Sequence, residues 1–272
     1  MKLATVITTS EVPVPVPVAL LTGTFSERLD GAVALGYDGV ELMVLDPDRL
    51  DAATLRQEVQ SRRLEVCAIG TGAQFLVDKL TLSAGDRETE ARAFERFERL
   101  ADFASACGSP LVTIGSFRGK LVWGGDGARA RLTHTLRRCA EAAAERRIRV
   151  ALEPLNRYES DFVNNAAEGM DLSREIDHPA FGLLLDTFHV NIEEPSIAGA
   201  FRTAAPRLWH VHLGDSNRLP PGEGHFDFAL TVQTLRELGY TGYLSAELLA
   251  RPDPDTAARK TIDFMRRLIP RS

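Results

Sequence analysis

Eight times along the chain a short run of β-branched and apolar residues gives way to a longer stretch with helical spacing of its apolar positions. That alternation restricts the fold to a parallel sheet joined by crossover helices, because parallel neighbours need a long connection and a helix is the usual one. The strand-like runs lie at 3–7, 39–44, 65–69, 111–114, 148–153, 181–186, 208–212 and 243–247. The helical stretches lie at 26–35, 52–62, 87–107, 128–147, 166–176, 196–204, 228–238 and 254–268. In the third of these, Phe94, Phe97, Leu100, Ala101 and Ala104 recur on one face. Gly36-Tyr37-Asp38-Gly39 stops one helix and starts the next strand within four residues. No Pro/Gly/Ser-rich linker divides the 272 residues, so one α/β domain over 1–272 is expected. Eight strand–helix pairs at this length fit a (β/α)8 TIM barrel better than an open doubly wound sheet.

Composition removes several classes of function. Hydrophobic content of 44% suffices for a sizeable core, and a net charge of −6 argues against a phosphate-backbone partner. No nucleic-acid partner is therefore expected. No stretch approaches the roughly 18 apolar residues that span a bilayer, so no membrane partner is expected and a cytoplasmic location is. Cys67, Cys107 and Cys139 are widely spaced in apolar or helical segments and read as buried, reduced thiols. Gly70-Thr71-Gly72 is half of a dinucleotide-binding fingerprint and lacks the third glycine, which argues against a nicotinamide site. The loop Val12-Pro-Val-Pro-Val-Pro-Val18 cannot donate ladder hydrogen bonds, so it reads as a stiff apolar loop able to wall a pocket.

The chemistry concentrates at strand ends. Pro154 stops the fifth strand and leaves Glu153 at its carboxyl tip, a costly place for a carboxylate unless cations or donors meet it. Asp186, His212 and Glu247 end the next three strands in the same way. In a barrel these tips converge on one face, where catalytic groups gather. Three oxygen ligands and one imidazole suit a divalent ion such as Mn2+, Mg2+ or Co2+, whereas zinc takes more His or Cys. His189 follows Asp186 by three residues, and Arg218 lies in the polar loop after His212. His210 shares a face with His212 one layer deeper, which favours a supporting role over ligation. Arg118 and Lys120, in the loop after the fourth strand, read either as anion contacts or as solvated charges. His134 and His178 read as surface residues.

Several segments carry a family resemblance: Leu152-Glu153-Pro154-Leu155-Asn156-Arg157, Leu185-Asp186-Thr187-Phe188-His189, His210-Val211-His212-Leu213-Gly214-Asp215, Pro221-Gly222-Glu223-Gly224-His225-Phe226-Asp227 and Gly242-Tyr243-Leu244-Ser245-Ala246-Glu247. In these the chain resembles the sugar-phosphate isomerase/epimerase superfamily of xylose isomerase-like barrels, and within it the ketose 3-epimerases that act on sugars such as tagatose and psicose. The resemblance implies Glu153, Asp186, His212 and Glu247 as ligands of one divalent metal, Mn2+ first. It also implies Glu159, His189 and Arg218 as contacts to the first oxygens of a small sugar. The first half of the chain, with Ile69-Gly70-Thr71-Gly72 and Gly115-Ser116-Phe117-Arg118-Gly119, is similar to a branch acting on keto sugar acids such as 5-ketogluconate. Arg118 facing a substrate carboxylate would explain that likeness. Family likeness further suggests a homodimer or homotetramer.

The chemistry agrees with the resemblance. Removing the weakly acidic proton beside a ketone needs a base, and the enediolate charge that develops needs stabilisation, which a divalent ion can supply. Epimerisation also needs a group on the opposite side to return a proton. Glu153 and Glu247 are expected to exchange these base and acid roles. An aldose–ketose isomerase, a dehydratase or a decarboxylase on a related keto sugar could use the same centre. A DNA-repair endonuclease of this barrel type would need several more histidines, and none precedes His134. A non-catalytic sugar-binding barrel is the remaining alternative.

Overall fold

A computed structural model describes residues 1–271. The strands are β1 Lys2–Thr8, β2 Gly39–Met43, β3 Glu65–Gly70, β4 Leu111–Ile114, β5 Arg149–Leu152, β6 Phe181–Asp186, β7 Leu208–Leu213 and β8 Tyr243–Ala246. They run parallel in chain order and close where β8 pairs with β1, so the expected (β/α)8 TIM barrel is the observed fold. The principal crossover helices are α1 Phe25–Leu35, α2 Ala52–Ser61, α4 Arg87–Cys107, α6 Ala128–Glu145, α7 Ala166–Ile176, α9 Ile197–Ala204, α10 Phe228–Glu237 and α11 Pro254–Leu268. No helix among the described residues is long and apolar enough to cross a membrane.

Strand side chains alternate between two environments. On β2, Val40 and Leu42 join the layer between strands and helices, whereas Glu41 and Met43 turn toward the barrel axis. On β7, Val211 and Leu213 pack outward while His210 and His212 point in. Helix α4 buries the face that its spacing predicts, with Phe97 and Leu100 inaccessible to solvent. Each such side chain contributes about 1.5–3 kcal/mol of burial free energy. Helix α1 starts in a capping box between Thr24 and Glu27 and stops at Gly36, whose φ of 95° suits a residue without a Cβ. Cys67, Cys107 and Cys139 are buried free thiols, as expected.

Three short helices at the carboxyl-terminal face depart from the expected loops: α3 Gly72–Leu76, α5 Leu121–Gly124 and α8 Thr187–Glu193. The last is nucleated by Asp186 itself, whose carboxylate accepts the Phe188 N–H at 2.8 Å. The glycine-rich 70–72 segment serves close packing, since a Cβ at Gly72 would stand 3.3 Å from the Met43 methyl group. The Val-Pro loop is laid across the barrel mouth. Glu11 pins one end by accepting from Thr9 Oγ1 and Leu45 N–H, each at 2.9 Å. At the other end, Pro17 accepts from Ala250 N–H at 3.1 Å.

Candidate active site and metal centre

Four consecutive strands deliver the four expected ligands to one place. Glu153 and Glu247 are the first residues beyond β5 and β8, and Asp186 lies beside His212 in the β6–β7 register. One donor atom from each of Glu153, Asp186, His212 and Glu247 lies within 4.8 Å of the others. His212 Nδ1 stands 3.7 Å from Glu153 Oε1 and 3.5 Å from Glu247 Oε2. Glu153 Oε1, Asp186 Oδ2 and His212 Nδ1 are buried without hydrogen-bond partners. Unpaired buried acceptors are costly, and their convergence on one point fits a hard divalent cation. Gly115 leaves room for Glu153, because a Cβ there would lie 2.5 Å from Glu153 Oε2.

The local field separates the acids. Burial pushes the Glu153 carboxyl up more than neighbouring His212 pulls it down, and Glu247 adds to the rise. Burial and then Glu153 push Asp186 up to about 8. Burial opposes ionisation at Glu247 too, but His212 and Arg218 outweigh it and hold that group at about 2. For His212, burial is overcome by Glu41 and Glu247, which hold the ring well above its ordinary value.

Glu41 escaped the sequence reading. It is 1% exposed, and its carboxylate accepts from His210 Nε2 at 2.9 Å and from His212 Nε2 at 3.0 Å. Its signal was a lone acid inside the apolar run Gly39-Val40-Glu41-Leu42-Met43, a position that buried strands seldom give to an unpaired carboxylate. His210 takes the deeper supporting position that its spacing suggested.

The residues expected to touch substrate divide into two groups. Glu159 and Arg218 both line a cavity of about 250 Å³ together with Glu153, His212 and Glu247. Arg218 Nη1 reaches Glu159 Oε1 at 3.4 Å, and its Nη2 reaches Glu247 Oε2 at 3.3 Å. Its loop is gathered by Asp215, which accepts from Ser216, Gly222 and Phe226 N–H groups at 2.7–3.0 Å. His189 joins the cluster, its Nε2 3.7 Å from Glu153 and 3.8 Å from Asp186. The backbone N–H of Asn156 donates to His189 Nδ1 at 3.3 Å and its side-chain amide at 2.8 Å. Burial and then Arg218 hold His189 down at about 3, so the ring is neutral. With Nδ1 accepting, the proton sits on Nε2 and is aimed at the cluster. Asn156 thus sets the tautomer.

Arg118 requires a correction. It was expected to face a substrate carboxylate, yet it is 0% exposed and points behind the site. Its guanidinium donates to the Glu153 carbonyl, to Ser160 Oγ at 2.9 Å and to the Val163 carbonyl at 3.1 Å. The short 3-10 turn Ser116–Arg118 directs the side chain inward, where it staples the loop after β5 and fixes the backbone of Glu153. Burial lowers its pKa to about 10, which leaves it charged at neutral pH. The remainder of the cavity is largely apolar, with Pro17, Val18, Phe75, Leu76 and Leu249. The Val-Pro loop therefore does wall the pocket.

Comparison with known proteins agrees with this geometry. The family described as xylose isomerase-like TIM barrel matches residues 29–268. An L-ribulose 3-epimerase of Methylomonas sp. (strain DH-1) is 30% identical over 248 residues, covering 89% of this chain and 84% of that protein. A 3-dehydro-D-guloside 4-epimerase of Escherichia coli (strain K12) is 35% identical over 142 residues, 52% of this chain and 54% of the relative. The solved D-allulose 3-epimerase from Methylomonas sp., in complex with D-allulose, matches with a TM-score of 0.79 at 26% identity and 98% coverage of both chains. With a closed eight-stranded barrel and a match over most of its length, the chain belongs to the xylose isomerase-like TIM barrel family, with ketose 3-epimerases and a keto sugar 4-epimerase among its relatives.

Proposed function

We propose that this protein is a metal-dependent sugar epimerase that inverts the carbon next to a ketose carbonyl, with Glu153 and Glu247 as its acid–base pair. The observation that carries the proposal is that both carboxyl groups line one cavity and converge on one point from strands β5 and β8. Inversion needs one group to take a proton and another to return one from the opposite side, and two carboxyl groups on separate strands are suited to that division. Glu247 takes the proton in one direction and Glu153 returns it, and the roles reverse for the reverse reaction. The relatives' names, 3-epimerase and 4-epimerase, support the same reaction type.

Glu153, Asp186, His212 and Glu247 would hold the cation, Mn2+ first and Mg2+ or Co2+ as alternatives. When bound, it would polarise the substrate carbonyl and hold the negative charge that develops on oxygen. His189 donates its Nε2–H to a substrate oxygen, Arg218 adds a fixed positive charge, and Glu159 accepts from a hydroxyl. The apolar far wall favours an uncharged ketose over a keto sugar acid, since Arg118 is committed to the Glu153 loop. A cytoplasmic homodimer or homotetramer completes the proposal, its assembly open to light scattering.

Metal-replete protein incubated with ketohexoses in D2O tests the reaction. NMR should find deuterium at the carbon next to the carbonyl together with the inverted isomer. Glu153→Gln and Glu247→Gln should each abolish formation of the inverted isomer while sugar binding persists. Exchange with retained configuration and aldose formation, or loss of water or CO2, would replace epimerisation with a related reaction.

A further inference from the structure

Resting on the metal-centre reading above, we propose that Glu41 is a positioning residue for that centre: it holds His212 Nε2–H and thereby turns Nδ1 toward the cation. Glu41 Oε2 lies 3.0 Å from His212 Nε2, and Oε1 lies 3.2 Å from the same nitrogen. The opposite ring nitrogen, Nδ1, is the one facing Glu153 and Glu247 with no hydrogen-bond partner. His212 would ligate as a neutral imidazole, with one N–H and one lone pair, and in that form a carboxylate on Nε2 assigns the lone pair to Nδ1. Free choice of tautomer would place the lone pair on the wrong side for part of the population and weaken ligation accordingly.

Glu41 is itself held. His210 Nε2 donates to the same Oε2 at 2.9 Å, and the two imidazole rings meet edge to face at 84° with centroids 5.3 Å apart. Both histidines come from β7, whereas Glu41 comes from β2 on another side of the barrel. The carboxylate therefore also fixes the ring plane of His212, because it clamps the ring from across the axis. Metal-bound histidines commonly give their second N–H to a carboxylate, and losing that partner costs roughly 10- to 100-fold in metal affinity.

A rival arrangement uses the same atoms: donors of Glu41, Cys67 and His210 also lie within 4.8 Å of one another. That trio would make Glu41 a ligand in its own right. The hydrogen bonds favour the positioning role, since Glu41 already accepts from both imidazoles.

The test titrates metal-free wild-type protein and Glu41→Gln with Mn2+ by calorimetry, and records the melting temperature of each metal-free protein. The expected result is one equivalent bound by each, with a dissociation constant about 10- to 100-fold higher for the variant. A purely structural role would lower the metal-free melting temperature and leave the dissociation constant within twofold, which would overturn the proposal. Two equivalents in the wild type and one in the variant would make Glu41 a ligand and overturn it likewise. Failure of the wild type to bind Mn2+ would overturn both the metal centre and this inference. Ring 15N NMR of the wild type loaded with Zn2+ decides the matter even if the variant does not fold: His212 should show a protonated Nε2 and a ligating Nδ1, and the reverse assignment refutes the positioning role.

Discussion

Gly115→Ala is the smallest change that should disable the site without touching a reacting group. Gly115 follows β4, and an added Cβ would stand 2.5 Å from Glu153 Oε2, where ordinary contact begins at 3.4 Å. The Glu153 carboxylate must therefore retreat by about 0.9 Å. Its backbone cannot yield easily, because the Arg118 guanidinium grips its carbonyl and its N–H donates to Ile114 O at 3.0 Å. The movement falls on the side chain proposed both to hold the cation and to transfer the proton. Displacement of a catalytic group by about 1 Å costs roughly 100-fold in rate. That corresponds to about 2.7 kcal/mol of transition-state stabilisation. Initial rates of deuterium exchange and isomer formation with a ketohexose, at saturating metal, give kcat/KM for both proteins. Calorimetry with Mn2+ should find weaker binding by the variant, and its metal-free melting temperature should change little. A variant whose kcat/KM stays within threefold of wild type would refute the close Gly115–Glu153 contact as a determinant of the site.

Three further predictions probe the surroundings. Arg118→Met leaves the carbonyl of Glu153 buried and unpaired, at about 1–3 kcal/mol, whereas that of Val163 keeps the Leu155 N–H at 3.2 Å, so urea unfolding of the metal-free protein should lose about 1–3 kcal/mol; a loss well below about 1 kcal/mol contradicts the staple. Above pH 6.5, where the depressed His189 adds no further stability, metal-free protein should lose stability as pH rises: Asp186 is raised from 3.8 to about 8, so its contribution is fully present below 3.8 and is lost as pH passes 8. The raised His212 works in the same direction, and bound metal, which displaces these protons, should flatten the decline in thermal melts. A metal-free melting temperature that climbs through neutral pH would contradict both assignments. Phe75 stacks on Trp123 with ring centroids 6.1 Å apart at the cavity mouth, so Phe75→Ala should raise KM about three- to tenfold with kcat little changed. A fall in kcat at constant KM would place Phe75 with the reacting atoms instead.

The sequence by itself determined the barrel and the four residues that converge at its mouth. Strand and helix periods are local properties, and eight repeats of them leave little choice of architecture at this length. Glu153, Asp186, His212 and Glu247 were legible because each occupies the same local position, the carboxyl tip of an apolar strand, and those tips meet in any such barrel. His189, Glu159 and Arg218 were legible through motif likeness; Glu159 and Arg218 line the cavity, and His189 stands beside Glu153.

Only the tertiary structure decided which polar groups pair across the fold. Glu41 meets His210 and His212 over separations of 169 and 171 residues, and nothing within its own strand shows which opposing side chain it will find. Asn156 sets the tautomer of His189 from 33 residues away. Arg118 looked like an anion contact because strand-following loops usually face the ligand, but a three-residue turn sends it behind the site to hold Glu153. Period and propensity act within a few residues, whereas closure of the barrel sets the register and facing of strands far apart in sequence. The direction of each buried charge follows from that closure, because a charge sealed from water settles where its hydrogen bonds are satisfied.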